Sequence, residues 1–238
     1  MHPEPIAASS SPAHVVVRSS PRKEMTVGAI CLVAVVVVGV AGTLIRNGTG
    51  FTLAEEGLLV WVNGFRNPVL DGVALFFQVA FAPLGAVIIT VFVSIATKIV
   101  KGSVVAGIKA SVLIGAPCLV AWLLKVLIAR PRPDPGLLAD PLFHIGGATS
   151  FPSGHTVFVA ALALFVVAEV AHKRRAGVAC IPAVALAVVV GLSRVYLGVH
   201  YPSDVLASLV VAPAVFVLSC VLWNLVGSAW QGRFRPSR

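Results

Sequence analysis

The stretch from Val104 to Ile128, VVAGIKASVLIGAPCLVAWLLKVLI, decides the fold class of this chain. About 20 apolar residues in helical conformation cross the roughly 30 Å hydrocarbon core of a bilayer, and this stretch is long enough. The whole chain of 238 residues is 58% hydrophobic and only 11% charged, with a mean hydropathy of +0.98. Because soluble domains carry about 25% charged residues, the composition predicts an integral membrane protein.

Apolar runs recur along the chain and do not alternate as barrel strands do, which predicts an all-α bundle of six transmembrane helices. The six runs are Met25–Ile45, Leu70–Thr97, Val104–Ile128, Thr156–Ala171, Val178–Leu197 and Val205–Val226. The second run is too long to stand straight and contains Pro83, so we expect it to tilt or kink. Between the first two runs, FTLAEEGLLVWVNGF (residues 51–65) predicts a short interfacial amphipathic helix.

Two tails flank the bundle in the predicted domain organisation. Residues 1–24 are rich in Pro, Ser and Ala and predict a disordered tail, residues 25–228 form the six-span domain, and residues 229–238 form a basic tail. The first run follows basic residues, as in a signal peptide. It is longer than the usual apolar region of 7–15 residues, which favours a retained anchor helix.

Basic residues predict the orientation in the membrane. Twelve of them lie in the tails and in alternate loops: Arg18, Arg22, Lys23, Lys98, Lys101, Lys109, Lys173, Arg174, Arg175, Arg233, Arg235 and Arg238. The positive-inside rule then places both termini in the cytoplasm and the remaining loops outside. The composition favours a bacterial plasma membrane. The net charge of +9 is assigned to topology and anionic headgroups, and no nucleic acid partner is expected.

Three polar motifs stand at the ends of apolar runs on the predicted outer face. They are Lys125–Pro133 (KVLIARPRP), Pro152–His155 (PSGH) and Ser193–Asp204 (SRVYLGVHYPSD). In the first motif, Lys125 lies inside an apolar turn, where a buried cation is costly without an anionic partner. We interpret Arg130 differently, as a cation that snorkels to the membrane interface.

The second motif stands directly before an apolar helix. Ser153 is a good N-cap residue, and Gly154 would let an anion approach the N–H groups at the helix start. An ordinary cap would explain both residues equally well. It does not explain His155, whose ordinary pKa suits a general acid.

The third motif places His200 and Asp204 four residues apart, with Pro202 between them. If Pro202 opens the last helix, Asp204 can reach back to one ring nitrogen of His200 and leave the other nitrogen available for attack. Alone, Asp204 could equally be a favourable first-turn carboxylate.

Together the motifs resemble the three signatures of the type 2 phosphatidic acid phosphatase family, whose superfamily includes vanadium-dependent haloperoxidases. All eleven specified positions of KxxxxxxRP, PSGH and SRxxxxxHxxxD are present in order. The resemblance covers about Leu70 to Val226. It implies that Lys125, Arg132 and Arg194 hold the phosphate oxygens, with hydrogen bonds from Ser153 and Gly154.

The resemblance also implies a mechanism. His200 would be the nucleophile that forms a phosphohistidine, Asp204 would orient it, and His155 would protonate the leaving oxygen. No metal or other cofactor is expected, because the three cations would neutralise the phosphate charge.

The implied function is hydrolysis of a lipid phosphate in the membrane, on polyprenyl diphosphate, phosphatidylglycerophosphate or phosphatidate. The alternatives are a non-catalytic protein that binds lipid phosphates and, against the six apolar runs, a haloperoxidase. The motifs leave open the substrate, the oligomeric state and the role of the 134–151 loop. His144 in that loop could touch a headgroup or be a plain loop histidine.

Overall fold

A computed structural model of the chain describes residues 20–138, 141–142, 149–170 and 176–233. Over these ranges the protein forms eight α-helices and no β-strand, which confirms the predicted all-α class. The helices are α1 (Pro21–Asn47), α2 (Thr49–Asn63), α3 (Pro68–Ala80), α4 (Pro83–Lys101), α5 (Val104–Ile128), α6 (Gly154–Val170), α7 (Ala176–Tyr196) and α8 (Pro202–Arg233). His144 and the basic residues 173–175 lie outside the described ranges.

The second apolar run divides into two helices, where the sequence predicts one tilted or kinked helix. Helix α3 ends at Ala80, and Ala82 adopts an extended conformation with ψ of 161°. Pro83 then opens α4 at a position where its missing N–H costs nothing. The residue before a proline avoids helical geometry, so Pro83 converts the expected kink into a break.

The helices differ in their ability to span a bilayer. By length and composition, four are long and apolar enough to cross a membrane: Arg22–Asn47, Pro83–Lys101, Val104–Ile128 and Pro202–Gly227. The shorter apolar helices are Pro68–Ala80, Gly154–Glu169 and Cys180–Tyr196. Residues 21–24 and 229–233, which the sequence predicts as parts of the tails, lie in α1 and α8.

The main hydrophobic core lies between α5, α6, α7 and α8. Helix α6 occupies its centre, because all five side chains of residues 157–161 are buried. Aromatic contacts attach α3 to this core: the ring of Phe81 lies 5.8 Å from that of Phe77 and 6.0 Å from that of Phe158. The break after α3 is therefore held directly against the start of α6.

Helix α1 lies antiparallel along α8 at the edge of the bundle. A Cβ placed on Gly28 would contact Val221 near the far end of α8, and one placed on Gly42 would lie 2.6 Å from the Phe151 ring beside its start. At the opposite end of the bundle, Lys101 on α4 pairs with Glu169 on α6 at 2.5 Å. Away from this ion pair, the end of α7 meets the starts of α6 and α8, since a Cβ placed on Gly191 would lie 3.5 Å from Thr156 and 2.5 Å from Val205. The end of α5 lies at the same end of the molecule, where Ile128 packs with Phe151 and Ala207.

Candidate active site

Main-chain hydrogen bonds join the three motifs at this end of the bundle. The N–H of Ser150 donates to the carbonyl of Arg130 at 2.8 Å, and that of Ser153 donates to the carbonyl of Asp204 at 3.2 Å. The Ser208 hydroxyl strengthens the second link, since it lies 3.0 Å from the Ser153 carbonyl and 2.7 Å from the Asp204 carbonyl. The structure therefore brings together three segments that are far apart in sequence.

The first motif turns sharply where α5 ends. Ala129 takes the left-handed conformation with φ of +49°, and its N–H donates to the Lys125 carbonyl at 3.0 Å. Residues other than glycine pay about 1–2 kcal/mol for this geometry. The turn ends the helix, and the Arg130 side chain that follows it is buried in the bundle.

His200 and Asp204 form the hydrogen bond that their spacing predicts. His200 Nδ1 lies 3.2 Å from Asp204 Oδ2, and the same oxygen accepts the Tyr201 N–H at 2.9 Å. His200 is 3% exposed and Asp204 is completely buried. On the other side of the ring, His200 Nε2 lies 3.4 Å from Arg132 Nη1. The imidazole is therefore fixed between a carboxylate and a cation.

The surroundings keep the His200 ring neutral. Burial lowers the pKa of His200 from 6.5 to about 3, although the hydrogen bond to Asp204 and its charge act in the opposite direction. Because Nδ1 faces a carboxylate, the single ring proton belongs on Nδ1. Nε2 then carries the lone pair that a nucleophilic nitrogen needs, and it lies 3.4 Å from Arg132 Nη1.

A glycine that the sequence analysis did not single out shapes the loop before His200. Gly198 has φ of +68°, and a Cβ there would lie 2.3 Å from Leu138 Cδ1. Its N–H donates to the Val195 carbonyl at 2.9 Å, and the next N–H, of Val199, donates to Arg194 at 3.1 Å. This turn carries the chain from the end of α7 to His200.

Two of the predicted phosphate-binding cations lie near this ring. Lys125 Nζ donates to the carbonyls of Thr149 and Ser150 at 3.1 and 2.9 Å. Arg132 Nη1 donates to the Val199 carbonyl at 2.6 Å, whereas its buried Nε has no hydrogen-bond partner among the described residues. Burial lowers the pKa of Arg132, and the charge of Asp204 opposes this effect. Because its Nε has no partner among the described residues, Arg132 has an N–H group that could donate a hydrogen bond to a bound anion.

Arg194 and His155 are linked through α3. The fully buried Arg194 guanidinium donates to the Ala74 carbonyl at 2.9 Å, to Gln78 Oε1, and to Ser193 Oγ at 2.8 Å. The main-chain oxygen of Gln78 lies 3.1 Å from His155 Nε2. Sequence reasoning missed Gln78, although an amide inside an apolar run is a signal that could have identified it.

The second motif opens α6 as predicted. Ser153 is completely buried, and its hydroxyl accepts a hydrogen bond from Thr156 Oγ1 at 3.0 Å. Helix α6 begins at Gly154, which is exposed and has no atom within 4 Å of the position of a Cβ. A ligand can therefore approach the backbone at the positive end of the α6 dipole.

The prediction that Arg130 snorkels to the membrane interface is wrong. Its side chain is 1% exposed, Nη1 lies 2.9 Å from Asp204 Oδ1, and Nη2 lies 2.7 Å from Glu55 Oε2. The guanidinium carbon also stands 3.9 Å from the centroid of the Tyr201 ring. Arg130 points inward because two buried carboxylates and the face of an aromatic ring stabilise its positive charge more than the membrane interface would.

Helix α2 is present as predicted, but its buried face carries a carboxylate. Glu55 and Leu59 are its two buried residues, at 6% and 1% exposure. Their spacing of four puts both on one face of the helix. Within LAEEGLL (residues 53–59), Glu55 lies four residues before Leu59 and so on the same helix face. A glutamate on the apolar face of a helix is the sequence signal that could have predicted a buried partner cation.

Within the described parts of the chain, no three His, Cys, Asp or Glu side chains come together in a way that could hold a metal ion. The groups predicted to bind phosphate are instead cations and helix N–H groups, and Arg132 among them lies beside the neutral His200 ring. Such a set suits an anion whose charge is spread over several oxygens.

The family model described as the PAP2 superfamily matches residues 105–227, and the chain belongs to this superfamily. This confirms the resemblance drawn from the motifs. The matched region begins within α5 and ends within α8, so it contains all three motifs and excludes α1 to α4.

Named relatives within the superfamily act on phosphorylated lipids. Undecaprenyl-diphosphatase BcrC of Bacillus subtilis (strain 168) is 30% identical over 148 residues, which are 62% of this chain and 72% of that protein. Phosphatidylglycerophosphatase B of the same organism is 37% identical over 120 residues, 47% of this chain and 55% of that protein. Lipid A 1-phosphatase of Rhizobium etli is 34% identical over 114 residues, 46% of this chain and 47% of that protein.

A solved structure shares the fold. The crystal structure of the first transmembrane PAP2 type phosphatidylglycerolphosphate phosphatase from Bacillus subtilis superposes with a TM-score of 0.63. The superposition covers 91% of this chain and 99% of that chain at 23% identity. At this identity the likeness supports the helical architecture and leaves the substrate to other arguments.

Proposed function

We propose that this protein is a membrane lipid phosphatase, a hydrolase that acts on phosphate esters or anhydrides of lipids. The observation that carries the proposal is His200 held between Asp204 at 3.2 Å and Arg132 at 3.4 Å, at the end of a bundle of apolar helices. A neutral histidine with a carboxylate on one nitrogen and a cation beside the other is arranged to attack a bound phosphate. The names of the relatives point to the same chemistry.

In the proposed first step, His200 Nε2 attacks phosphorus and the bond to the leaving oxygen breaks. His155 donates a proton to that oxygen, and the lipid product leaves. The ring of His200 becomes positively charged as the N–P bond forms, and the Asp204 carboxylate stabilises that charge through Nδ1–H. Asp204 acts through His200 as a positioning group.

In the second step, water attacks the phosphohistidine on phosphorus. His155, now neutral, accepts a proton from that water, the N–P bond breaks, and inorganic phosphate is released. The two steps together consume one water molecule and return His155 and His200 to their starting protonation states.

Five groups would bind the phosphate oxygens. They are the cations of Lys125, Arg132 and Arg194, the Ser153 hydroxyl and the Gly154 N–H. The cations supply the charge neutralisation, and the start of α6 supplies hydrogen bonds that a phosphate can reach because Gly154 is open to the surroundings. Arg194 is oriented before substrate arrives, since Ala74, Gln78 and Ser193 already hold its guanidinium.

We propose that α3 and α4 together form one crossing, which gives six crossings in all. Four helices have the length for this role by themselves, and the exposed side chains of α1, α4 and α5 are largely apolar. The start of α1 and the end of α8 lie away from the motifs. With the basic residues assigned to the cytoplasm, the site faces outward from a bacterial plasma membrane.

The proposed substrate carries its phosphate at the membrane interface on an apolar anchor. Polyprenyl diphosphate, phosphatidylglycerophosphate and phosphatidate all meet this description, and relatives are named for the first two kinds. Because the cations recognise phosphate itself, preference among these lipids depends on the helices around the site.

The test is phosphate release by the purified full-length protein in detergent with a chelator present. The panel contains polyprenyl diphosphate, phosphatidylglycerophosphate and phosphatidate, so that the same assay ranks the substrates. We expect hydrolysis of at least one lipid, and loss of at least a thousandfold in kcat for His200→Ala. Wild-type turnover in His200→Ala, or no hydrolysis of any of the three lipids, would refute the proposed function.

A further inference from the structure

A buried chain of charges reaches from α2 to the proposed nucleophile. Glu55 contacts Arg130 at 2.7 Å, Arg130 contacts Asp204 at 2.9 Å, and Asp204 contacts His200 at 3.2 Å. None of the four side chains is more than 7% exposed. Glu55 lies outside the three motifs and outside residues 105–227, which the family model matches.

Ser203 forms hydrogen bonds that hold Glu55 in this series of charged side chains. The Ser203 N–H donates to Glu55 Oε1 at 2.7 Å, and its hydroxyl lies 3.0 Å from Glu55 Oε2 and 2.7 Å from Arg130 Nη1. Both Glu55 oxygens are therefore occupied by groups next to Asp204. This bidentate arrangement fixes the carboxylate at the start of α8, where its charge is also favoured by the helix dipole.

The two oxygens of Asp204 have different partners. Oδ1 accepts from Arg130, whereas Oδ2 faces His200 Nδ1 and the Tyr201 N–H. Arg130 thus determines the rotation of the carboxylate that presents Oδ2 to the imidazole. If Arg130 had no other anionic partner, its positive charge at this distance would also neutralise the negative charge of Asp204.

We infer that Glu55 is a positioning residue for the proposed phosphoryl transfer, because it balances Arg130 and leaves Asp204 with its negative charge toward His200. The three groups Glu55, Arg130 and Asp204 carry one net negative charge. That charge becomes useful when the His200 ring turns cationic on forming the N–P bond. The inference rests on the proposed function, since it concerns that reaction.

The experiment compares Glu55→Gln with Glu56→Gln in the full-length protein. Glutamine keeps the size of Glu55 and removes its charge. Glu56 is a matched control on the same helix, since it is only partly buried and its one described contact is a hydrogen bond of 3.4 Å from the Tyr201 hydroxyl. For each protein, kcat and KM are measured on the preferred lipid phosphate, together with the Ki of vanadate, which mimics the transition state.

In Glu55→Gln we expect kcat to fall about ten- to a hundredfold, as happens when a group that orients a residue of the site through hydrogen bonds is lost. KM should stay within about twofold, and the Ki of vanadate should rise by a factor similar to the fall in kcat. Glu56→Gln should match the wild type in all three quantities. An unchanged kcat in Glu55→Gln would overturn the inference.

The Ki of vanadate separates positioning from a structural role. A variant that merely lowers the fraction of folded protein has a lower apparent kcat and an unchanged Ki, and that result would also overturn the inference. Ser203→Ala keeps the test usable if Glu55→Gln does not fold, because it loosens Glu55 without removing a charge. It should lower kcat and raise the Ki by about three- to tenfold, and wild-type values would count against the inference.

Failure of the inference and failure of the proposed function give different results. If the wild type hydrolyses lipid phosphates, His200→Ala is inactive and Glu55→Gln is normal, only the role of Glu55 is refuted. If the wild type and His200→Ala are equally inactive on every lipid, the proposed reaction fails, and the role of Glu55 in it fails as well.

Discussion

Replacing Arg130 with methionine should destabilise the protein more than any comparable change at an exposed ion pair. Methionine keeps an apolar stem and removes the cation that lies 2.7 Å from Glu55 and 2.9 Å from Asp204. The exposed fractions of these side chains are 1%, 7% and 0%, so water cannot replace the lost partner. Removing one partner of a buried ion pair costs about 3–5 kcal/mol.

The matched control is Lys101→Met at the other end of the bundle. Lys101 pairs with Glu169 at 2.5 Å, but the two side chains are 43% and 34% exposed. Pairs of this kind contribute about 0–1 kcal/mol. The difference between the two variants therefore isolates the effect of burial.

The assay is thermal unfolding in detergent, followed through the fluorescence of the four tryptophans. For a chain of this size, 1 kcal/mol corresponds to about 2–4 °C, so Arg130→Met should lower Tm by about 6–20 °C and Lys101→Met by about 4 °C or less. Equal shifts for the two variants would refute the description of Arg130 as a desolvated cation between two carboxylates.

Four further predictions test the remaining features of the site. The pKa of His200 in the folded protein lies below its ordinary 6.5, so the contribution of the neutral ring to stability is present above pH 6.5 and is lost as the pH falls toward about 3. His200→Gln should therefore reduce the fall of Tm between pH 6.5 and pH 3, measured by thermal unfolding at a series of pH values. Gly198→Ala forces a left-handed alanine against Leu138 and should cost about 1–2 kcal/mol in unfolding experiments, with no loss contradicting the turn. Lys125→Met should lower kcat/KM about 10²–10³-fold in the phosphate-release assay, whereas a value near that of the wild type would remove Lys125 from the phosphate site. Vanadate should compete with the lipid substrate, and steady-state rates that vanadate leaves unchanged would argue against His200 as the nucleophile.

The sequence predicted the helical class and the contact between His200 and Asp204 because both leave local signals. Long apolar runs determine helices in lipid, and the spacing of His200 and Asp204 is short enough for helix geometry to predict their contact. The start of α6 at Gly154 follows equally from Ser153 and the apolar run behind it.

The partners that lie far away in sequence could not be predicted in this way. Arg130 and Glu55 are separated by 75 residues, and nothing in either neighbourhood specifies the other. Gln78 meets Arg194 across 116 residues for the same reason. Each of these polar groups was visible as an exception in an apolar setting, but its partner depends on how the helices pack.

The division of α3 from α4 was also only partly predictable. Pro83 marked the place, yet kinked and broken helices share the same local sequence signal. The break is stabilised by packing of Phe81 against Phe158, a contact that depends on the position of α6.

The hydrogen bonds that hold the three motifs together have a consequence for divergence. The links from Ser150 to Arg130 and from Ser153 to Asp204 use only main-chain atoms, which every residue type except proline provides on both sides. These two hydrogen bonds therefore persist through many changes of side chain in the segments that they join. A lineage can exchange the lipid-facing surfaces of its helices and acquire a different lipid while the hydrolytic centre is inherited intact.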